Sequence, residues 1–151
     1  MKVNDKFSKA MILKVKILDK NIATPSYAHE GDAGFDLRAK KRTVVSPGER
    51  AFIPTGLSVE IPEGFAGLIW DKSGLAMKHG LKTLGGVIDS SYRGEIVVGI
   101  VNLSDKDHIF QKGDKTAQML IQKVERVNFE EVEEVSKTER GEGGFGSTGK
   151  K

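Results

Sequence analysis

Leu57-Ser58-Val59-Glu60-Ile61-Pro62-Glu63-Gly64 decides the fold class. Leu57, Val59 and Ile61 alternate with Ser58 and Glu60, and Pro62-Glu63-Gly64 then turns the chain. Successive side chains of a strand point to opposite faces, so a period of two predicts a strand with one buried face. The same period returns upstream, where Leu13, Val15 and Ile17 alternate with Lys14 and Lys16. Downstream, Ile96-Val97-Val98, Ile100-Val101 and Met119-Leu120-Ile121 are continuous apolar runs, predicted as strands covered on both faces. Ser46-Pro47-Gly48-Glu49, Ser91-Tyr92-Arg93-Gly94 and Gln111-Lys112-Gly113-Asp114 carry turn residues between the runs. Short strands punctuated in this way predict an all-β sandwich, jelly roll or barrel. Only one short helix is predicted, with Ser73 capping Gly74 to Lys78 and Gly80 stopping it. Glu130, Glu131, Glu133 and Glu134, interleaved with Val132 and Val135, read as a solvated edge strand.

A chain of 151 residues predicts one domain, large enough to hold a core without metal or disulfide staples. Hydrophobic residues at 38% and charged residues at 30% exclude a disordered chain and point to a modest core, or to help from subunit contacts. The absence of cysteine excludes disulfide scaffolds, iron–sulfur clusters, thiol catalysis and Cys-ligated zinc. A net charge of +3 is too small for a nucleic-acid coat, and no nucleic-acid partner is expected. No apolar run approaches the roughly 18 residues of a membrane span. Lys14 and Lys16 interrupt the stretch after a polar start, so no signal peptide is expected and the location is read as cytoplasmic. Asn102-Leu103-Ser104 is then a chance sequon.

Five segments carry residues suited to chemistry. Gly31-Asp32-Ala33-Gly34-Phe35-Asp36-Leu37 sets two carboxylates four apart, either to reach Mg²⁺ through water or to shape a turn. Asp71-Lys72-Ser73-Gly74-Leu75 enters the helix, with Ser73 as a cap or as a hydroxyl beside Lys72 for an anion. Gly85-Gly86-Val87-Ile88-Asp89-Ser90-Ser91-Tyr92-Arg93-Gly94-Glu95 reads as a β-hairpin whose glycines let a ligand approach the backbone. Within it Asp89 is a turn former or a general base, and Tyr92 a surface tyrosine or a platform for a sugar. Gly113-Asp114-Lys115-Thr116-Ala117-Gln118 turns into a strand at whose start Gln118 has no apolar role. From Arg140 onward the chain is glycine-rich, with Phe145 as its one aromatic and Ser147 and Thr148 as hydroxyls, a composition that wraps phosphate or trails in solvent. Gly144 to Lys150 matches part of a P-loop, but Lys151 stands where Ser or Thr is needed. His29, His79 and His108 lack metal-ligand spacing and are read as structural.

In this order, the five segments closely resemble the five motifs of the homotrimeric dUTPases, and the resemblance runs from Lys14 to Thr148. The matches are Ala33 to Leu37, Ser73 to Ala76, Gly86 to Asp89 with Tyr92 and Gly94, Gly113-Asp114 with Ala117-Gln118, and Arg140-Gly141 with Gly143 to Gly149. The resemblance implies a jelly-roll subunit over residues 1–139, with the order of residues 1–10 undecided, and a flexible arm over 140–151 that closes the site. It implies a homotrimer with active sites between subunits, and hydrolysis of dUTP to dUMP and pyrophosphate with Mg²⁺. That activity would limit uracil in DNA and supply dUMP for thymidylate synthesis. By position, Asp89 would activate the attacking water and Asp36 would hold Mg²⁺ through water. Lys72, Ser73, Gly74 and Gln118 would contact phosphates, and backbone at Gly86 and Val97 would read uracil. Tyr92 would pack on the deoxyribose, Phe145 would cover the base, and Arg140, Gly146, Ser147 and Thr148 would close over the phosphates.

The chain departs from the family pattern at four places. Lys72 and Lys115 stand where Arg is usual, which keeps the charge and loses the bidentate fork. Asp71 replaces a residue that is commonly Pro or Gly, and Ser91 a common acidic one. A dCTP deaminase, which shares the fold, is the nearest rival, but its catalytic Glu and Arg follow a different hairpin, whereas Asp89-x-x-Tyr92 is intact here. A nucleotide-binding module without turnover would have no use for a general base at Asp89.

Overall fold

A computed structural model describes residues 11–144. The expectations for residues 1–10 and for Phe145, Gly146, Ser147 and Thr148 lie outside them. The described chain forms β1 (Lys14–Ile17), β2 (Phe35–Arg38), β3 (Thr43–Val45), β4 (Arg50–Pro54), β5 (Leu57–Glu60) and β6 (Phe65–Trp70). Next come α1 (Ser73–His79), β7 (Leu81–Leu84), β8 (Val87–Ile88), β9 (Val97–Asn102), β10 (His108–Phe110) and β11 (Lys115–Lys123). All strand pairs are antiparallel, in sheets ordered β1-β5, β10-β3, β2-β11-β6-β8 and β4-β9-β7. The pairs β2 with β11, β3 with β10 and β4 with β9 are nested inside one another. Nested pairing is one long hairpin rolled up, the jelly-roll route to closing a two-sheet core. The all-β expectation with one short helix is borne out.

Leu37, Val45, Ile53, Ile96, Val98, Ile100, Phe110 and Met119 form the centre of the core, each at most 1% exposed. Burying one such side chain contributes about 1.5–3 kcal/mol, so these positions dominate the fold's stability. The alternation read in β5 is half right. Leu57 and Val59 are buried, but so is Ser58, whose Oγ donates to the Arg93 carbonyl at 2.7 Å. The runs expected to be covered on both faces are covered on one. Val98 and Ile100 are buried, while Val97, between them and the turn, is 42% exposed. Likewise Met119 is buried while Leu120 and Ile121 are only partly so. The acidic stretch from Glu130 is exposed as expected but is not a strand: β11 ends at Lys123, and Val132 and Val135 stand in solvent.

Two local expectations change. Lys72, extended at φ −81°, is the helix N-cap, and Ser73 is the first helical residue with no side-chain capping bond. Gly80 does stop α1, in the left-handed conformation at φ 64°, with its N–H on the Ala76 carbonyl at 3.0 Å. The segment from Gly85 to Glu95 is not a hairpin. β7 pairs with β9, Leu84 opposite Gly99, while the chain between crosses to the other sheet, where Val87 and Ile88 pair with Leu68 and Gly67. Gly85 and Gly86, at φ 66° and 106°, make that crossing.

Candidate active site

The sequence-predicted residues gather in two clusters. The first sits where β2, β11 and the turn after β6 meet. Asp36 on β2 is opposite Gln118 on β11, and Gln118 is opposite Trp70 on β6. Asp36 is only 9% exposed, and its carboxylate takes an ion pair from Lys72 and another, at 2.6 Å, from Lys115. Burial alone would push the Asp36 carboxyl up; hydrogen bonds from Lys115 and Lys72 outweigh it and hold the group below the ordinary 3.8.

A β-bulge brings Lys115 there. The register runs Lys115 opposite Arg38 and then Ala117 opposite Leu37, leaving Thr116 as an extra residue whose hydroxyl donates to the Leu37 carbonyl at 3.1 Å. Without the extra residue Lys115 and Gln118 would point to opposite faces. With it both lie on the Asp36 face. Lys115, which the sequence showed only as standing where Arg is usual, joins the site through this bulge, since an unbroken alternation from Gln118 would place it on the other face. Gln118 donates from Nε2 to the Asp71 carbonyl at 2.9 Å, which ties β11 to the turn leading into Ser73 and Gly74. Both of those residues are exposed. The arrangement presents two lysines, a hydroxyl and a carboxamide, a set suited to a polyanion.

The two carboxylates of the Gly31–Leu37 segment do not converge. Asp32 accepts the His29 N–H at 2.8 Å and shapes a turn, so that of these two carboxylates Asp36 alone meets the lysines. No group of three His, Asp or Glu able to hold a metal ion occurs among the described residues. His79 and His108 instead pack against each other with their rings tilted by 55° and the centroids 5.0 Å apart, and Asn102 of the chance sequon is fully buried, donating to the Val45 carbonyl at 2.8 Å.

The second cluster lies on the connection from β8 to β9. Val87, Ile88, Asp89, Tyr92, Glu95 and Val97 line an open hollow of about 180 Å³. Asp89 is exposed there, and its carbonyl accepts the Tyr92 N–H at 3.1 Å, closing the turn that carries both side chains. The Tyr92 hydroxyl donates to the Glu95 carbonyl at 2.9 Å, so the ring lies across Gly94. A Cβ at Gly94 would come within 2.3 Å of the Tyr92 hydroxyl. Glu95 is anchored in turn, accepting the Gly56 N–H at 2.8 Å and a contact from Lys40 at 3.4 Å. Gly86 packs against β6: its carbonyl takes the Ile69 N–H at 2.7 Å, and a Cβ there would meet the Ile69 carbonyl oxygen at 2.8 Å.

The clusters stand apart within one chain. β8 is three strands from β2, and Asp89 follows Ile88, which lies opposite Gly67, whereas Asp36 aligns with Trp70. At about 4.8 Å between strands and 3.3 Å per residue, Asp89 and Asp36 are separated by roughly 15–20 Å. Arg140 joins neither cluster: its Nε donates to the Gly143 carbonyl at 2.7 Å in a local turn.

A sequence profile of the dUTPase family matches residues 20–149. A deoxyuridine 5'-triphosphate nucleotidohydrolase of Clostridium tetani is 46% identical over 140 residues, which cover 91% of this chain and 97% of that one. The fold is similar to the dUTPase of Staphylococcus bacteriophage 80alpha solved with dUpNHpp, at a TM-score of 0.83 and 33% identity, covering 93% of this chain and 99% of that one. It is also similar to a mutant dUTPase of phage phi11 of S. aureus, at a TM-score of 0.76 and 30% identity, covering 82% and 98%; that structure describes coordination of a structural Mg(II) ion.

Proposed function

The chain belongs to the dUTPase family and is an enzyme that hydrolyses dUTP, and we propose that two copies build each active site, the phosphate end on one and the nucleoside end on the other. In this reading Lys72, Ser73, Gly74 and Gln118 of one copy hold the phosphate chain. Asp89 of a neighbouring copy accepts a proton from the water that attacks the innermost phosphorus. The bond to the next phosphate breaks, giving dUMP and pyrophosphate. Pyrophosphate is a good leaving group, so positioning and one base suffice. The observation that carries the proposal is the separation of roughly 15–20 Å between the cationic cluster and the Asp89 hollow, set by strand spacing. One chain offers each half of the chemistry and not both at one place. A closed homotrimer supplies the missing half to every site by symmetry.

At the nucleoside end, the small hollow beside Asp89 is sized for a pyrimidine and a sugar, and the Tyr92 ring, pinned by its hydroxyl, forms one wall. Packing the deoxyribose on that ring leaves no space for a 2′-hydroxyl, which discriminates against UTP. Backbone at Gly86 and Val97 reads the uracil edge. Because a carbonyl and an N–H sit in fixed places, cytosine presents the wrong pattern. Residues 140–151 act as an arm: Arg140, Gly146, Ser147 and Thr148 close over the phosphates and Phe145 over the base, excluding water once substrate is bound.

The residues present fit Mg²⁺. The ion keeps several waters and binds mainly through substrate phosphates, so it needs no protein cage. Asp36 would hold it through a water, since each carboxylate oxygen that accepts a lysine retains a second lone pair. When bound, Mg²⁺ offsets the negative charge of the phosphates. The test is pyrophosphate release from dUTP, UTP, dTTP and dCTP. Release from dUTP alone is expected. Equal release from UTP would remove the Tyr92 wall from the account, and ammonia from dCTP would remove the reaction.

A further inference from the structure

We infer that Asp71 is a positioning residue for the phosphate end of the site: its side chain pins the turn between β6 and α1 to β7 and so fixes where Lys72, Ser73 and Gly74 meet the phosphates. The inference rests on the phosphate-binding reading proposed above. Asp71 Oδ1 accepts two hydrogen bonds from one residue of β7, the Thr83 N–H and the Thr83 hydroxyl, each at 2.7 Å. Its Oδ2 takes Lys82 Nζ at 2.8 Å. Its carbonyl accepts Gln118 Nε2 at 2.9 Å from β11. The next residue, Lys72, is drawn the other way, to Asp36 on β2. Two adjacent residues thus fasten the turn to two different sheets, β7 belonging to one and β2 and β11 to the other.

Fastening from both sides over-determines a segment that would otherwise be a short connection free to shift. Proline fixes the backbone through its ring, by locking φ. Asp71 does so through charge-assisted hydrogen bonds, which are the strong kind. Burial alone would raise its carboxyl, but the bonds from Lys82 and Thr83 hold it below 3.8, so it accepts as a carboxylate. Asp71 therefore acts on the phosphates only through its neighbours.

The experiment measures affinity for two ligands, dUMP and a non-hydrolysable imido analogue of dUTP, together with kcat and KM. Asp71→Ala is expected to weaken the analogue on the order of 10- to 100-fold and dUMP, which retains only the innermost phosphate, by less than about threefold, because a misplacement of about an ångström carries penalties of the larger size. Asp71→Asn keeps an oxygen for Thr83 and loses only the exposed Lys82 pair, so it is expected to stay within about fivefold of wild type. Equal weakening of both ligands by Asp71→Ala would make the residue a general scaffold element and overturn the inference. Unchanged affinity for both would overturn it as well. If Asp71→Ala does not fold, Thr83→Val, which removes one of the three bonds, carries the same comparison: selective loss of the analogue supports the role and no selectivity refutes it. Lys72→Ala separates the two layers. If it leaves the analogue bound as before, the phosphate-end reading itself falls; if it weakens the analogue beside a silent Asp71→Ala, only the part given to Asp71 falls.

Discussion

Replacing Gly86 with alanine tests the crossing that carries the Asp89 hollow between sheets. Two penalties add at this position. Gly86 has φ 106°, outside the range that L side chains adopt, and the new Cβ would sit 2.8 Å from the Ile69 carbonyl oxygen. The backbone strain alone costs about 1–3 kcal/mol. The contact is with backbone, so it is relieved only by moving β8 off β6, which stretches the Ile69 N–H to Gly86 carbonyl bond of 2.7 Å. Losing a buried backbone hydrogen bond costs a further ~1–3 kcal/mol. The total, about 2–6 kcal/mol, corresponds to a fall in melting temperature of roughly 5–20 °C for a domain of this size. Gly85 is the internal control, since at φ 66° it lies in the left-handed region with nothing within 4 Å of an added Cβ. Gly85→Ala should cost only about 1–2 kcal/mol. Calorimetry at equal protein concentration, with dUMP affinity measured alongside, reads both variants. The expected result is a large melting shift and weakened dUMP binding for Gly86→Ala, and a small shift with intact binding for Gly85→Ala. Equal shifts in the two variants would refute the reasoning, because the close approach to Ile69 would then contribute nothing.

Three further outcomes are expected. Asp89→Asn should lower turnover about 10²- to 10⁴-fold, and refolding it together with Lys72→Ala copies should restore activity above the sum of the two, since mixed assemblies regain whole sites; a purely additive mixture would contradict sites shared between copies. Deleting residues 140–151 should leave thermal unfolding nearly unchanged and cripple hydrolysis, and full activity of the truncated chain would remove the arm from the mechanism. Asp36 has its folded carboxyl held below 3.8, so its stabilisation is complete above that value and is lost as pH falls through the lowered one. The stability gap between wild type and Asp36→Asn, read from urea midpoints, should therefore narrow below pH 3.8, and a gap constant with pH would show that the two lysines do not hold the carboxylate.

Much of the local structure is written in the sequence by itself. The period of two at Leu57–Ile61 and Leu13–Ile17 selects strands, and Gly80 ends the helix, because both depend only on neighbouring residues. The residue types of the candidate site are legible for the same reason: Asp36, Ser73, Asp89, Tyr92 and Gln118 stand out as polar groups at turns and strand starts. What tertiary structure alone decided is who meets whom. The nesting of β2 with β11 and β4 with β9 joins residues far apart in the chain, and a strand's pattern shows a buried face without showing its partner. One unpaired residue, Thr116, rotates Lys115 onto Asp36, a change of face that a count along the strand reads backwards. The crossing at Gly85–Gly86 follows from backbone angles that a pair of glycines permits but does not dictate, and it sets Asp89 far from the lysines. Local pattern fixes which face of each segment avoids water, whereas long-range closure fixes the distances on which catalysis depends.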